Sequence, residues 1–208
     1  MKPTLYLHIG TNKTGSTALQ NFFELNKELL AEKGVNYPLP HGSPSSGARN
    51  FHFQFGNGFY LVVNHSQYRI DKEQALLDYL PGDKDAILSC ELLWGEQVST
   101  YERIQKLLGE RYTIKVVVYF RRADSFYSSW LQQSIQSQGR YTMEVDEVVP
   151  YTAKLDALAE IFGQENIVVR CYEKQQFVGG TIFQDFLSVL GITDITEYDF
   201  PTSAVNPS

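Results

Sequence analysis

At 208 residues, with 43% hydrophobic and 20% charged side chains, the chain holds enough apolar material for one sizeable α/β domain and is too short for two ordinary ones. A net charge of −6 excludes a broad polyanion or nucleic-acid surface, which needs Lys and Arg gathered over a face, so any anionic ligand must meet a local basic site. No apolar run reaches the ~20 residues that span a bilayer and the N-terminus has no signal-peptide pattern, so a cytoplasmic location is expected.

Thr4 to Ile9 is a β-rich run that feeds directly into the glycine loop Gly10 to Gly15. Leu19, Phe22, Phe23, Leu29 and Leu30 then recur at helical spacing, which predicts one helix over 15–33 with Gly34 as its stop. Residues 38–64 are irregular and end in the aromatic-rich F-H-F-Q-F-G-N-G-F-Y, the composition of a lid or substrate wall inserted into the domain. Further helices are expected over 73–79, 101–108, 123–138, 152–162 and 181–190, and further strands over 86–90, 114–120 and 166–172. Cys90 and Cys171 fall in two separate strand-like runs, where buried free thiols are expected. Alternation of strands and helices predicts a three-layer α/β sandwich, a mostly parallel central sheet flanked by helices, with ligands at the C-terminal ends of the strands.

The segments that follow the strands carry the chemistry. Strand one delivers T-N-K-T-G-S-T, strand two S-C-E-L-L-W, strand three R-R-A-D-S-F-Y-S-S-W and strand four C-Y-E-K. The first reads G-x-x-x-x-G-S-T where an ATP-binding loop has G-x-x-x-x-G-K-[ST], with the lysine moved upstream to Lys13. A glycine loop opening a helix converges N–H groups on a tetrahedral anion, and Lys13, Thr14, Ser16 and Thr17 add a cation and hydroxyls. Arg121 and Arg122 end a buried strand, where a guanidinium needs an anion or a carboxylate such as Asp124 or Glu91. Ser129 follows Arg121 by eight residues.

K-T-G-S-T after the first strand, with R-x7-S after a central strand, resembles the two donor-binding signatures of sulfotransferases that use 3'-phosphoadenosine 5'-phosphosulfate (PAPS), whose fold is P-loop NTPase-like. The opening Y-L-H-I-G-T-N-K-T-G-S-T and the R-R-A-D spelling are similar to the bacterial branch. The resemblance implies that Lys13 meets the bridging oxygen of the phosphosulfate and that Thr14, Gly15, Ser16 and Thr17 cradle its 5'-phosphate and sulfuryl oxygens. It also implies that Arg121 and Ser129 grip the 3'-phosphate and that Tyr172 lies at the adenine. Two departures stand out: Ala18 replaces the aromatic that often follows the loop, and the C-terminal R-K-G-type segment is absent, as though the chain were shortened. Basic residues such as Arg122, Arg140 or Arg170 are candidates to substitute for it, though their spacing marks none of them.

The implied reaction is in-line sulfuryl transfer to a hydroxyl or amine, with PAPS as co-substrate and no metal required. A base is then needed near the sulfur. Glu91, at the end of strand two, is the first candidate and His52, among the lid aromatics, the second; His8, inside strand one, reads as a core histidine. The acceptor is expected to be a small molecule or carbohydrate, with no nucleic-acid partner and no membrane span. Two rivals remain: a small-molecule kinase with a degenerate P-loop, and a non-catalytic nucleotide-binding module.

Overall fold

The computed structural model describes residues 1–11, 13–38, 77, 80, 82–122, 124, 126, 128 and 151–201. Five parallel strands, β1 (Thr4–His8), β2 (Val35–Asn36), β3 (Asp85–Ser89), β4 (Thr113–Phe120) and β5 (Ile167–Cys171), form one sheet in the order β2-β3-β1-β4-β5. The expected α/β architecture with a parallel sheet is therefore present, and β1 lies at its centre.

Strand alternation divides the core in two. Leu5, Leu7, Ala86, Leu88, Ile114, Val116 and Val118 face one layer, made of α3 (Val98–Leu108) and α4 (Tyr151–Phe162). Tyr6, Ile87, Val117 and Tyr119 face the other, made of α1 (Ser16–Leu25) and α5 (Ile182–Val189). The chain leaving β1 turns to the α1/α5 layer, whereas the chain leaving β3 turns to the α3/α4 layer. Such a divergence opens a crevice at the C-terminal edge of the sheet.

The predicted helix over 15–33 is in fact two, α1 and α2 (Lys27–Glu32), broken at Asn26. Asn26 is buried, and its amide donates to the Phe22 carbonyl (2.9 Å) and the Asp199 carbonyl (2.8 Å) while accepting from the Asp199 N–H (2.8 Å). That side chain acts as a backbone-like partner for the C-terminal strap, which lays Tyr198 and Phe200 on Phe22. The two-residue β2 is too short to register as a strand in the sequence. Helix α3 begins three residues earlier than its apolar spacing predicts. Thr181 caps α5 by accepting from the Gln184 N–H at 3.2 Å.

Cys90 is buried as expected, but Cys171 is only half-buried because β5 is an edge strand. Residues 39–76 lie outside the described residues, and with them the lid or substrate wall expected over 38–64 apart from Pro38; of the helices expected over 73–79 and 123–138, only Leu77 and Asp124, Phe126 and Ser128 are described, all helical. Among the described residues no helix is long and apolar enough to cross a membrane.

Candidate functional site

The glycine loop continues β1 beside β4. Ile9 N–H bonds the Val117 carbonyl (3.1 Å), Thr11 N–H bonds the Tyr119 carbonyl (3.1 Å), and the Gly10 carbonyl accepts from Tyr119 N–H (3.2 Å). Beyond Thr11 the chain turns sharply. Gly10 (φ 93°) and Gly15 (φ 75°) are left-handed, and so is Lys13 at φ 64°, the sole non-glycine residue with positive φ among those described. A lysine there is strained and needs its surroundings to hold it.

Within the loop the side chains divide by exposure. The Thr14 hydroxyl turns inward to the Thr11 carbonyl, and Thr14 is fully buried, so what Thr14 can offer a ligand is its backbone N–H. Ser16 is buried as well. Lys13 is half-exposed, and Thr17 is exposed at the first turn of α1, whose N-terminus opens at this edge of the sheet.

Arg121 and Tyr172 arrive at this loop through strand register. Phe120 pairs with Cys171, and the Tyr172 N–H bonds the Phe120 carbonyl at 2.7 Å. Arg121 and Tyr172 are therefore neighbours one step past the paired ends, and alternation puts both on the α1/α5 side. The Arg121 guanidinium lies 5.5 Å from the centre of the Tyr172 ring and donates from an Nη to the Lys13 carbonyl at 3.3 Å. The Tyr172 ring in turn packs on Gly15, since a Cβ added to Gly15 would come within 2.9 Å of the ring. Burial pushes the Tyr172 phenol up, and the Arg121 charge opposes that shift. It is Arg122, not Arg121, that pairs with Asp124, at 3.0 Å on the exposed surface.

Lys13, Thr14, Gly15, Ser16, Thr17, Arg121 and Tyr172 thus meet at one end of the sheet. Ser129 and His52 lie outside the described residues. Glu91 opens a short 3-10 turn, Glu91–Gly95, directly after β3, which places its backbone at the same sheet edge. That turn is fastened by a residue the sequence did not single out. The Lys154 ammonium on α4 donates to the Trp94 carbonyl (2.5 Å) and to the Glu96 carbonyl, 5.4 Å from the Trp94 ring centre and 5.2 Å from that of Tyr101. Desolvation lowers its pKa, and Glu96 opposes the shift. A lysine in an amphipathic helix gives no sequence signal of such a role.

His8 is a core residue, fully buried, with Nδ1 2.8 Å from the Ser89 hydroxyl and the ring edge-on to Tyr119 and Phe186. Gln20 donates to the same hydroxyl at 3.1 Å. The His8 ring is incompletely satisfied, because its Nε2 has no partner among the described residues. Burial pushes the imidazole down to about 4.

No family model matches the chain. A protein of Archaeoglobus fulgidus described as uncharacterised is 30% identical over 124 residues, 59% of this chain. The match spans only 34% of that relative's length. Among solved structures, the crystal structure of a sulfotransferase from Alicyclobacillus acidocaldarius superposes with a TM-score of 0.53 at 15% identity, over 98% of this chain and 85% of that one. The chain is similar to that enzyme in fold.

Proposed function

We propose that the chain is a sulfotransferase that moves a sulfuryl group from PAPS to a hydroxyl or amine. The observation that carries this reading is the meeting of Lys13, the Gly15 turn, Arg121 and Tyr172 at one sheet edge, in the order the donor signatures require. The residues present fit such a donor. The left-handed turn at Gly15 starts α1 at the sheet edge, where a helix N-terminus favours an anion, and Lys13 supplies one half-exposed cation and Arg121 a second. The likeness in fold to a bacterial sulfotransferase supports the same reading.

When bound, the donor supplies an activated sulfuryl group. Lys13 and the N–H groups of Thr14, Gly15 and Ser16 stabilise the negative charge that grows on the departing phosphate oxygen, an electrostatic role worth about 3 to 4 kcal/mol per well-placed group. Glu91, or His52, takes the proton from the acceptor. The acceptor oxygen or nitrogen gains the bond to sulfur as the bond from sulfur to the phosphate oxygen breaks, and 3'-phosphoadenosine 5'-phosphate leaves. Arg121 with Ser129 holds the 3'-phosphate, and Tyr172 flanks the adenine. The acceptor is a small molecule or carbohydrate, and no metal takes part.

Thermal stabilisation tests the donor site without any acceptor, because a ligand of the native state raises its melting temperature. A rise with 3'-phosphoadenosine 5'-phosphate and none with ATP plus Mg²⁺ is the expected result. A rise with ATP plus Mg²⁺ alone would replace the reading with a kinase.

A further inference from the structure

We infer that Arg121 and Tyr172 form a bracket that holds the strained backbone of Lys13, so that they position the catalytic ammonium as well as meet the donor; the inference rests on the donor-site reading above. Three contacts and the chain from Gly15 back to Lys13 close a ring. Lys13 adopts φ 64°. Its carbonyl accepts from the Arg121 guanidinium at 3.3 Å. The guanidinium lies over the Tyr172 ring at 5.5 Å. The far side of the circuit is closed by Gly15, two residues from Lys13, whose missing side chain leaves the space the Tyr172 ring occupies.

A left-handed lysine has a standing tendency to relax toward negative φ. Relaxation would swing its carbonyl and reorient its side chain together, since both hang on the same Cα. The hydrogen bond from Arg121 opposes the first motion directly. Tyr172 opposes it indirectly, by fixing the guanidinium plane on one side and the Gly15 turn on the other. Tyr172 is itself held by Phe177, whose ring centre is 5.4 Å away at 72°, and by the Phe120 carbonyl on its N–H. The rigid planar guanidinium lies on the ring while its edge donates, a fixed geometry that the point charge of a lysine on its flexible stem does not reproduce, so Lys in its place keeps the charge and loosens the bracket.

The test uses the whole chain and the conservative variant Arg121→Lys. Amide hydrogen exchange on the ligand-free protein reads the bracket by itself: the peptide covering residues 10–17 is expected to exchange about tenfold faster in the variant, while β1 and β4 keep their protection. Binding of 3'-phosphoadenosine 5'-phosphate and the rate of its release from saturating PAPS then separate affinity from turnover. A positioning role predicts that turnover falls by about tenfold or more while the Kd rises only by about threefold. Tyr172→Leu, which removes the ring and leaves Arg121, is expected to speed exchange over residues 10–17 in the same way. Unchanged exchange in Arg121→Lys would overturn the bracket, and faster exchange with the whole loss in Kd would overturn its part in positioning Lys13. If the unaltered chain bound no bisphosphate, the donor reading would fall and with it the catalytic part of the inference, while the exchange result would still say whether the bracket exists.

Discussion

The Tyr172 ring fills the space in which Gly15 lacks a side chain, its Cε2 lying 2.9 Å from where a Cβ would stand. Gly15 is needed there twice over, because its φ of 75° also disfavours any L side chain. Gly15→Ala must displace an aromatic ring that is wedged against Phe177 and Arg121, or distort the start of α1. The expected outcome is a loss of about 1 to 3 kcal/mol in stability, read by urea unfolding, together with weakened binding of 3'-phosphoadenosine 5'-phosphate. A variant as stable as the parent with undiminished binding would show that the ring and the loop are not coupled.

Lys13→Ala is expected to leave the fold intact and to lower sulfuryl transfer about a hundred- to thousand-fold, the usual loss when one group facing developing charge is removed. Its side chain is half-exposed and accepts no structural burden visible in the described contacts, so its melting temperature should change little. Transfer at the parental rate would take Lys13 out of the mechanism.

β1, β3, β4 and β5 were legible because each is a short, largely apolar run, whereas β2, at two residues, was not. Thr113–Phe120 is the clearest, differing from its sequence reading by one residue. What the sequence did not contain was register. Arg121 and Tyr172 are 51 positions apart in the numbering and become neighbours only because Phe120 pairs with Cys171. Both residues could be proposed for the site from their motifs, yet their contact with each other and with the loop could not. Asn26 was hidden for a similar reason. A helical pattern ran through it, and its partner, Asp199, belongs to a strap with no periodicity of its own. The inward turn of the Thr14 hydroxyl was equally silent, since K-T-G-S-T reads the same whether that oxygen faces a ligand or the Thr11 carbonyl.

Asp185 is a buried carboxylate that organises the base of the site. It accepts from the Tyr119 hydroxyl at 2.7 Å and from the Val178 N–H at 3.0 Å, with Arg170 Nε 3.8 Å away. Burial, and then the hydrogen bond to Asp185, push the Tyr119 phenol far up, so it stays a donor across the physiological range. Asp185→Ala strands both donors, each at about 1 to 3 kcal/mol, whereas Asp185→Asn keeps an acceptor and should be milder. Chemical unfolding of the two variants checks the order, and equal losses would mean that the carboxylate charge rather than its acceptor atoms matters.

Glu91→Gln is nearly isosteric and keeps the 3-10 turn that Lys154 fastens. With Glu91 as the base, transfer is expected to fall by about a hundred-fold or more with binding of the bisphosphate unchanged. Full transfer by Glu91→Gln would move the assignment to His52, and His52→Ala would then be the inactive variant.

His8 makes stability depend on pH in a direction fixed by its burial. Its folded pKa, about 4, lies below the ordinary 6.5, because the charged ring would sit fully buried beside Ser89, Tyr119 and Phe186, with Nε2 unpartnered among the described residues. Above pH 6.5 the ring is neutral both folded and unfolded and costs nothing. As the pH falls through the window from 6.5 to about 4, the unfolded chain takes up the proton and the folded one does not, so stability drains away. Between pH 7 and pH 5 this single group should remove about 2 kcal/mol. Carboxylates elsewhere titrate in part of the same range, so the difference between the parent and His8→Gln isolates it, glutamine retaining a polar group for Ser89. Urea unfolding at the two pH values is expected to show the parent losing about 2 kcal/mol more than the variant, and equal losses would mean that the buried ring accepts a proton at little cost.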